Sequence, residues 1–310
     1  MSRLLGIEAV EIVAICDPDE AAVAAARELS ADLAEAPSFS DYQDMLAAVE
    51  MDAVEISTPH TLHYEQIIAA LDRGLHVLCE KPMVCTSPHA RAVLDKLDET
   101  GLTMGVSYQR HGLPPYRYCR QAIASGEVGN CHFVSSVQSQ DWHRKQVRGG
   151  TWRSQMQWSG GGQLNDSGSH LLDIVLWMTG LNPAEVFAFQ DNMASEVDIL
   201  SAISVRFDNG GLCNFAVVGH AVNFYEQIVL YCEDATLAIA CEEVWRWEDE
   251  TKRVISGDEL GPSQTPDANF IAALRGQEQI QAPPDCALGV ALLSEAVWES
   301  AAAGRPVALD

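Results

Sequence analysis

Over its first third the chain alternates short apolar runs with segments of helical length, and that rhythm narrows the fold more than any other feature. "VEIVAIC" (10–16), "DAVEISTP" (52–59), "HVLCEKP" (76–82) and "LTMGVSYQR" (102–110) read as strands, the second and third ended by a proline. Between them lie "DEAAVAAARELSADL", a segment opening at "SDYQDMLAA" with Ser40 as its cap, and "LHYEQIIAALDRG". The last of these places Leu62, Ile67, Ile68 and Leu71 at helical spacing and closes on Gly74. "SPHARAVLDKLDETG" has Ser87 as cap, Pro88 in the first turn and Gly101 as stop. Strands separated by whole helices pair in parallel, with the helices covering both faces of the sheet.

After about residue 110 the pattern changes to successive long strands: "CHFVSSVQSQ", "EVFAFQ", "LSAISVRFDNGGLCNFAVVG", "YEQIVLYCEDATLAIAC" and "VWRWEDETKRVIS". "DNGG" (208–211) is a hairpin turn signal. This describes a mostly antiparallel sheet carrying one inserted helix near 167–179 and a final helix near 287–303. The expected class is therefore α/β, with a Rossmann-type parallel sheet over residues 1–110 and an α+β domain with an open sheet over 111–310. The long strands leave an apolar sheet face that one helix cannot cover, so a homodimer or homotetramer is expected.

Composition sets the surroundings. A net charge of −25 argues against nucleic acid or an anionic membrane surface as partner. No apolar run is read as a membrane span, and Glu8 and Glu11 interrupt the N-terminal stretch where an export signal would be apolar. Nine cysteines without a C-x-x-C pair suit free thiols in a reducing cytoplasm better than disulfides or zinc, and no metal is expected.

Ligands of open parallel sheets bind beyond the carboxyl ends of the strands. Asp17, just after the first strand, stands where an acid would hold the adenosine ribose of a dinucleotide. The glycine-rich turn that should precede it by about 20 residues is missing, because Gly6 is the only glycine in the sixteen residues before Asp17. The fold is thus expected to lack its first βα unit. A start site placed too late would leave roughly 25–35 residues of in-frame sequence upstream. "SGGG" (159–162) is no substitute, since no β-branched strand precedes it; it reads as a flexible substrate-side loop. Glu80 and Lys81 project from a buried strand end, where a solvated ion pair and a reactive lysine are both possible readings. Asp166, His170 and Asp173 fall at i, i+4 and i+7, one stripe of the helix that ends at Gly180; on spacing alone they are a site or a cap and a core histidine.

"STPHTLHYEQIIAALDRGLHVLCEKP", "GVSYQR" and "SGGGQLNDSGSHLLDIVLWMTG" together resemble the glucose–fructose oxidoreductase, inositol dehydrogenase and rhizopine-catabolism family (Gfo/Idh/MocA) along essentially the whole chain. The resemblance implies an NAD(P)-dependent oxidation of a secondary alcohol on a sugar, sugar derivative or cyclitol. It implies Lys81, Asp166 and His170 as catalytic residues, with Lys81 or His170 the base. Asp17, Ser57, Thr58, Pro59, His60, His63, Glu80 and Lys81 would border the cofactor, His60 departing from the family's usual asparagine. Asp17 would favour NAD over NADP by repelling a 2′-phosphate. Tyr108, Arg110, Trp152, Arg153 and Asn165 would line the sugar pocket. Two other classes remain open: a glycosidase that uses NAD transiently on the same fold, and a cofactor-free sugar-binding or regulatory protein.

Overall fold

The computed structural model describes residues 4–8, 10–241 and 243–309. The strand–helix alternation is present: β1 (Ile15–Cys16), α1 (Glu20–Arg27), α2 (Ala31–Glu35), β2 (Ser38–Phe39), α3 (Tyr42–Ala48), β3 (Ala53–Ile56), α4 (His63–Asp72), β4 (His76–Cys79), α5 (Ser87–Thr100) and β5 (Met104–Val106). Two caps sit one residue from their expected places. Asp41 rather than Ser40 caps α3, its side chain accepting from Gln43 N, and Thr86 rather than Ser87 precedes α5. Gly101 closes α5 at φ 67°, the left-handed conformation that glycine adopts without a Cβ penalty.

All these strands pair in parallel but in two separate sheets, β1–β2 and β3–β4–β5. Among the described residues no strand joins β1 to β3, the slot where the expected central strand would lie. The strand expected over 10–16 is accordingly regular only at Ile15–Cys16, the part that pairs with Ser38–Phe39. Ahead of β1, Leu4–Gly6 forms a single 3-10 turn.

The second half contains α6 (Pro114–Ala124), β6 (Cys131–Ser139), α7 (Met156–Ser159), α8 (Ser169–Thr179), β7 (Pro183–Asp191), β8 (Leu200–Phe207), β9 (Leu212–Val218), β10 (Tyr225–Cys232), β11 (Thr236–Ala240), β12 (Glu243–Glu248), β13 (Thr251–Ile255), α9 (Pro266–Leu274), α10 (Pro284–Ala303) and β14 (Val307–Ala308). The strands form one sheet of order β13-β12-β11-β10-β6-β9-β8-β7-β14, antiparallel except for the parallel pair β6–β9. Along β8 and β10 every second residue is buried, the period-two pattern of a sheet packed on one face. The helices α6, α8 and α10 lie along that packed side, and α10 also packs on α5, tying the large sheet to the parallel one. The other face carries Phe133, Phe187, Phe189, Leu212 and Tyr231, of which Phe189 is 67% exposed. One helix, α10, is long and apolar enough to cross a membrane by length and composition, contrary to the expectation that no such run exists. Its residues Ala287, Val290, Leu293 and Val297 are buried in the main core.

Candidate functional site

The site is built where the ends of the parallel strands meet the start of α8. Lys81 lies one residue past the end of β4, after Glu80, and the Lys81–Pro82 peptide is cis. Its Nζ donates to Asp166 Oδ1 at 2.9 Å and to the Asp166 carbonyl at 3.0 Å. Asp166 lies in a π-helical turn, Leu164–Gly168, that leads into α8. Trp142 Nε1 donates to Asp166 Oδ2 at 2.7 Å, Arg153 Nε stands 3.6 Å from that oxygen, and His60 Nε2 lies 3.9 Å from Oδ1. Burial opposes ionisation of Asp166. The charges of Lys81 and Arg153 and the indole N–H outweigh it and hold the carboxyl well below its ordinary range.

Three neighbouring imidazoles are lowered as well, which for a histidine favours the neutral ring. Burial lowers His60 to about 3, against the pull of Asp166 and with the help of Lys81. His60 Nδ1 is 3.1 Å from the Ser159 carbonyl, so in the neutral ring the proton sits on Nδ1 and Nε2 is left as an acceptor. His63 is wholly buried between two carbonyls, Pro82 O at 2.8 Å and Thr58 O at 2.9 Å. Those contacts favour its charged form, but burial is the larger effect and lowers its pKa. His170, in the first turn of α8, is driven well below its usual value by burial and by Arg110, Lys81 and His111. Its ring meets the edge of Tyr108 at 5.8 Å, and its Nδ1 is buried without a hydrogen-bond partner.

The triple glycine is the main correction to the sequence reading. It is no flexible loop: Ser159 and residues 161–166 are buried. Gly162 N and Leu164 N donate to the two oxygens of Asp198 at 3.0 and 2.8 Å, and Trp298 Nε1 donates to Oδ1 at 3.2 Å. A Cβ on Gly162 would lie 2.0 Å from the Asp198 carbonyl oxygen, and one on Gly161 2.7 Å from Trp298. Glycine is needed because backbone packs on backbone, and the packing fixes where Asp166 starts.

The structure gathers Lys81, Asp166, His60, Trp152 and Arg153 into one cluster. Trp152 meets the His60 ring edge-on at 4.8 Å, and the Arg153 guanidinium lies 4.3 Å above the Trp152 ring. Asp17 follows β1, with Oδ1 accepting from Asp19 N at 2.8 Å. Ser57 is exposed at the end of β3, Thr58 Oγ1 donates to Gln66 Oε1 at 2.6 Å, and Pro59 opens the 3-10 turn of His60–Leu62. Glu80 accepts from Lys81 N at 3.2 Å.

Several expected contacts are spent elsewhere. Arg110, expected to line a sugar pocket, is buried in an ion pair with Glu226, which also accepts from Tyr116 and Gln138. Asn165 donates to the Ser159 carbonyl at 2.8 Å instead of facing a ligand. Tyr108 is 1% exposed and packs beneath His170. Both nitrogens of His63 serve the backbone, so it links the ends of β3 and β4 rather than reaching a cofactor. Asp173 leaves the expected stripe with Asp166 and pairs with His111 at 2.8 Å. Trp142, Asp198 and Glu226 were not expected at all. They meet their partners across 24, 36 and 116 residues, and no local spacing announces such contacts.

Asp17 stands just past the end of β1, and the His60 turn and Lys81 stand just past the ends of β3 and β4. A glycine-rich turn for the pyrophosphate has no counterpart among the described residues.

Comparison with known proteins gives two matching family models. Residues 3–108 match "Oxidoreductase family, NAD-binding Rossmann fold", and residues 116–238 match the "GFO/IDH/MocA C-terminal domain". The chain is 26% identical to D-glucoside 3-dehydrogenase of Escherichia coli (strain K12) over 245 residues, 73% of this chain and 68% of that protein. It is 32% identical to the rhizopine catabolism protein MocA of Rhizobium meliloti over 174 residues, 56% of this chain and 51% of that protein. Matches to two other curated relatives span 42% and 58% of their lengths. The WlbA dehydrogenase from Bordetella pertussis, solved with NADH and UDP-GlcNAcA, shares the fold: TM-score 0.85, 24% identity, covering 100% of this chain and 94% of that one.

Proposed function

The chain belongs to the Gfo/Idh/MocA oxidoreductase family, and from that premise we propose that it oxidises a secondary alcohol of a sugar, sugar derivative or cyclitol with NAD. The observation that carries the reading is the Lys81 ammonium held on a buried, ionised Asp166, with the neutral His170 near enough to feel the Lys81 charge. Two of the three ammonium protons go to Asp166, which leaves one to meet a substrate oxygen. His170 is neutral at ordinary pH and accepts the hydroxyl proton. Lys81 steadies the charge that develops on the oxygen as that proton leaves, a contribution of about 10²–10³ in rate for a single well-placed donor. Arg153, stacked on Trp152, and His60 Nε2 face the same carboxylate and suit the neighbouring hydroxyls of a polyol. NAD, when bound, supplies the hydride acceptor. Asp17 supports NAD rather than NADP, because a 2′-phosphate beside a carboxylate is repelled.

The same reading assigns residues 1–110 to the cofactor and 111–310 to substrate and assembly, in the cytoplasm. The apolar open face of the large sheet supports a homodimer or homotetramer, and light scattering that finds only monomers at micromolar concentration would refute that part. The activity is tested by screening sugars and polyols for NADH release in the steady state, with Lys81→Met as control. The expected result is accumulating NADH and a loss in kcat/KM of about 10²-fold or more in the variant. Full turnover by Lys81→Met would remove Lys81 from the mechanism. Product formation with no NADH accumulating would move the reading to the transient, glycosidase-type use of NAD.

A further inference from the structure

Away from the site, β6 and β10 bring two cysteines face to face by a slip in their pairing. Along β6, Val134, Ser136 and Gln138 point into the core and alternate with Phe133, Ser135 and Val137 on the open face. Continued one pair further, that alternation would put Cys131 on the open face with Phe133. The register shifts there instead. Phe133 pairs with Tyr231, but Cys131 pairs with Cys232, so His132 is an extra, exposed residue on β6. Such a bulge turns the following side chain over. Cys131 and Cys232 are therefore both buried, at 4% and 7% exposure, on the same face of neighbouring strands.

Directly opposed residues of an antiparallel pair have Cα atoms about 4.5–5.5 Å apart. That lies inside the range of roughly 4.4–6.8 Å that a disulfide spans. In the reduced pair the Cys131 S–H donates to the Phe133 carbonyl at 3.7 Å. Cys131 also lines a cavity of about 500 Å³ bounded by Gly126, Gly129, Asn130 and Thr179, which gives a small solute a way in. We propose that Cys131 and Cys232 form an oxidisable dithiol, closed by peroxide into a cross-strand disulfide.

Cys131, which lines the cavity, meets the peroxide first and reacts as its thiolate. Its sulfur attacks a peroxide oxygen; the S–O bond forms, the O–O bond breaks, and one water leaves with the thiol's proton. The Cys232 sulfur then displaces the sulfenic hydroxyl, which departs with the Cys232 proton as a second water. Two thiols are oxidised and one hydrogen peroxide is reduced to two waters.

The test treats the full chain with hydrogen peroxide, blocks remaining thiols after unfolding, and maps the peptides by mass. The expected result is a peptide pair joined through Cys131 and Cys232, lighter than the two thiol peptides by two hydrogens and separated again by dithiothreitol. Cys131→Ser should abolish the linked pair, and Cys241→Ser, at an exposed position, should keep it. The proposal is overturned if both cysteines of the parent are still alkylated as thiols, or carry sulfinic acid, under peroxide that fully oxidises Cys241. Neither readout depends on enzymatic activity.

Discussion

Lowering the pH should destabilise the fold through His60 in a way that one substitution can isolate. The ordinary histidine pKa of 6.5 applies in the unfolded chain, whereas burial holds His60 at about 3 in the folded one. Between those values the unfolded state binds a proton that the folded state does not, so stability falls as pH falls. The loss is about 1.4 kcal/mol per pH unit, or about 3 kcal/mol between pH 6.5 and 4.5. His63 and His170 are shifted in the same direction and add to the slope. Relief of repulsion in a chain of net charge −25 works the other way, so the parent curve alone is ambiguous. His60→Asn removes one titration and keeps a donor for the Ser159 carbonyl, while leaving the global charge term nearly intact. Urea unfolding followed by tryptophan fluorescence at pH 7 and pH 4.5 should show the variant gaining about 3 kcal/mol on the parent across that interval. A gap that stays constant with pH would show that His60 is not buried neutral, and would refute the argument.

Glu226→Gln leaves the Arg110 guanidinium buried without a counter-charge and should cost about 3–5 kcal/mol in urea unfolding; Arg110→Met in the same chain should recover most of it. Gly162→Ala forces a Cβ to 2.0 Å from the Asp198 carbonyl, so the turn must shift. It should lower the melting temperature and weaken activity together, and a variant with parental values in both would disprove the packing account. Asp17→Asn should narrow the preference for NAD over NADP, measured as a ratio of kcat/KM, by about tenfold or more, as expected for one charged hydrogen bond.

What could be read in the sequence and what could not divide along the range of the interactions. Strand and helix periodicity, Gly101 and the paired strand ends are local, and they appear where the residues put them. Lys81 and Asp166, 85 positions apart, were paired through the resemblance, and the structure joins them at 2.9 Å. Arg110 was misjudged for a physical reason. A lone arginine at a strand end looks free until Glu226, from a strand 116 residues on, claims it with two hydrogen bonds. The same holds for "SGGG", whose glycines looked like mobility but serve close approach, a distinction visible only once Asp198 is in place. Cys131 shows the converse. Strict alternation would put it on the open face, and one bulge at His132, with no mark in the local sequence, turns it toward Cys232. In each case the deciding partner lies on a distant strand, so the error follows from register and long-range pairing, not from the chemistry assigned to the residue.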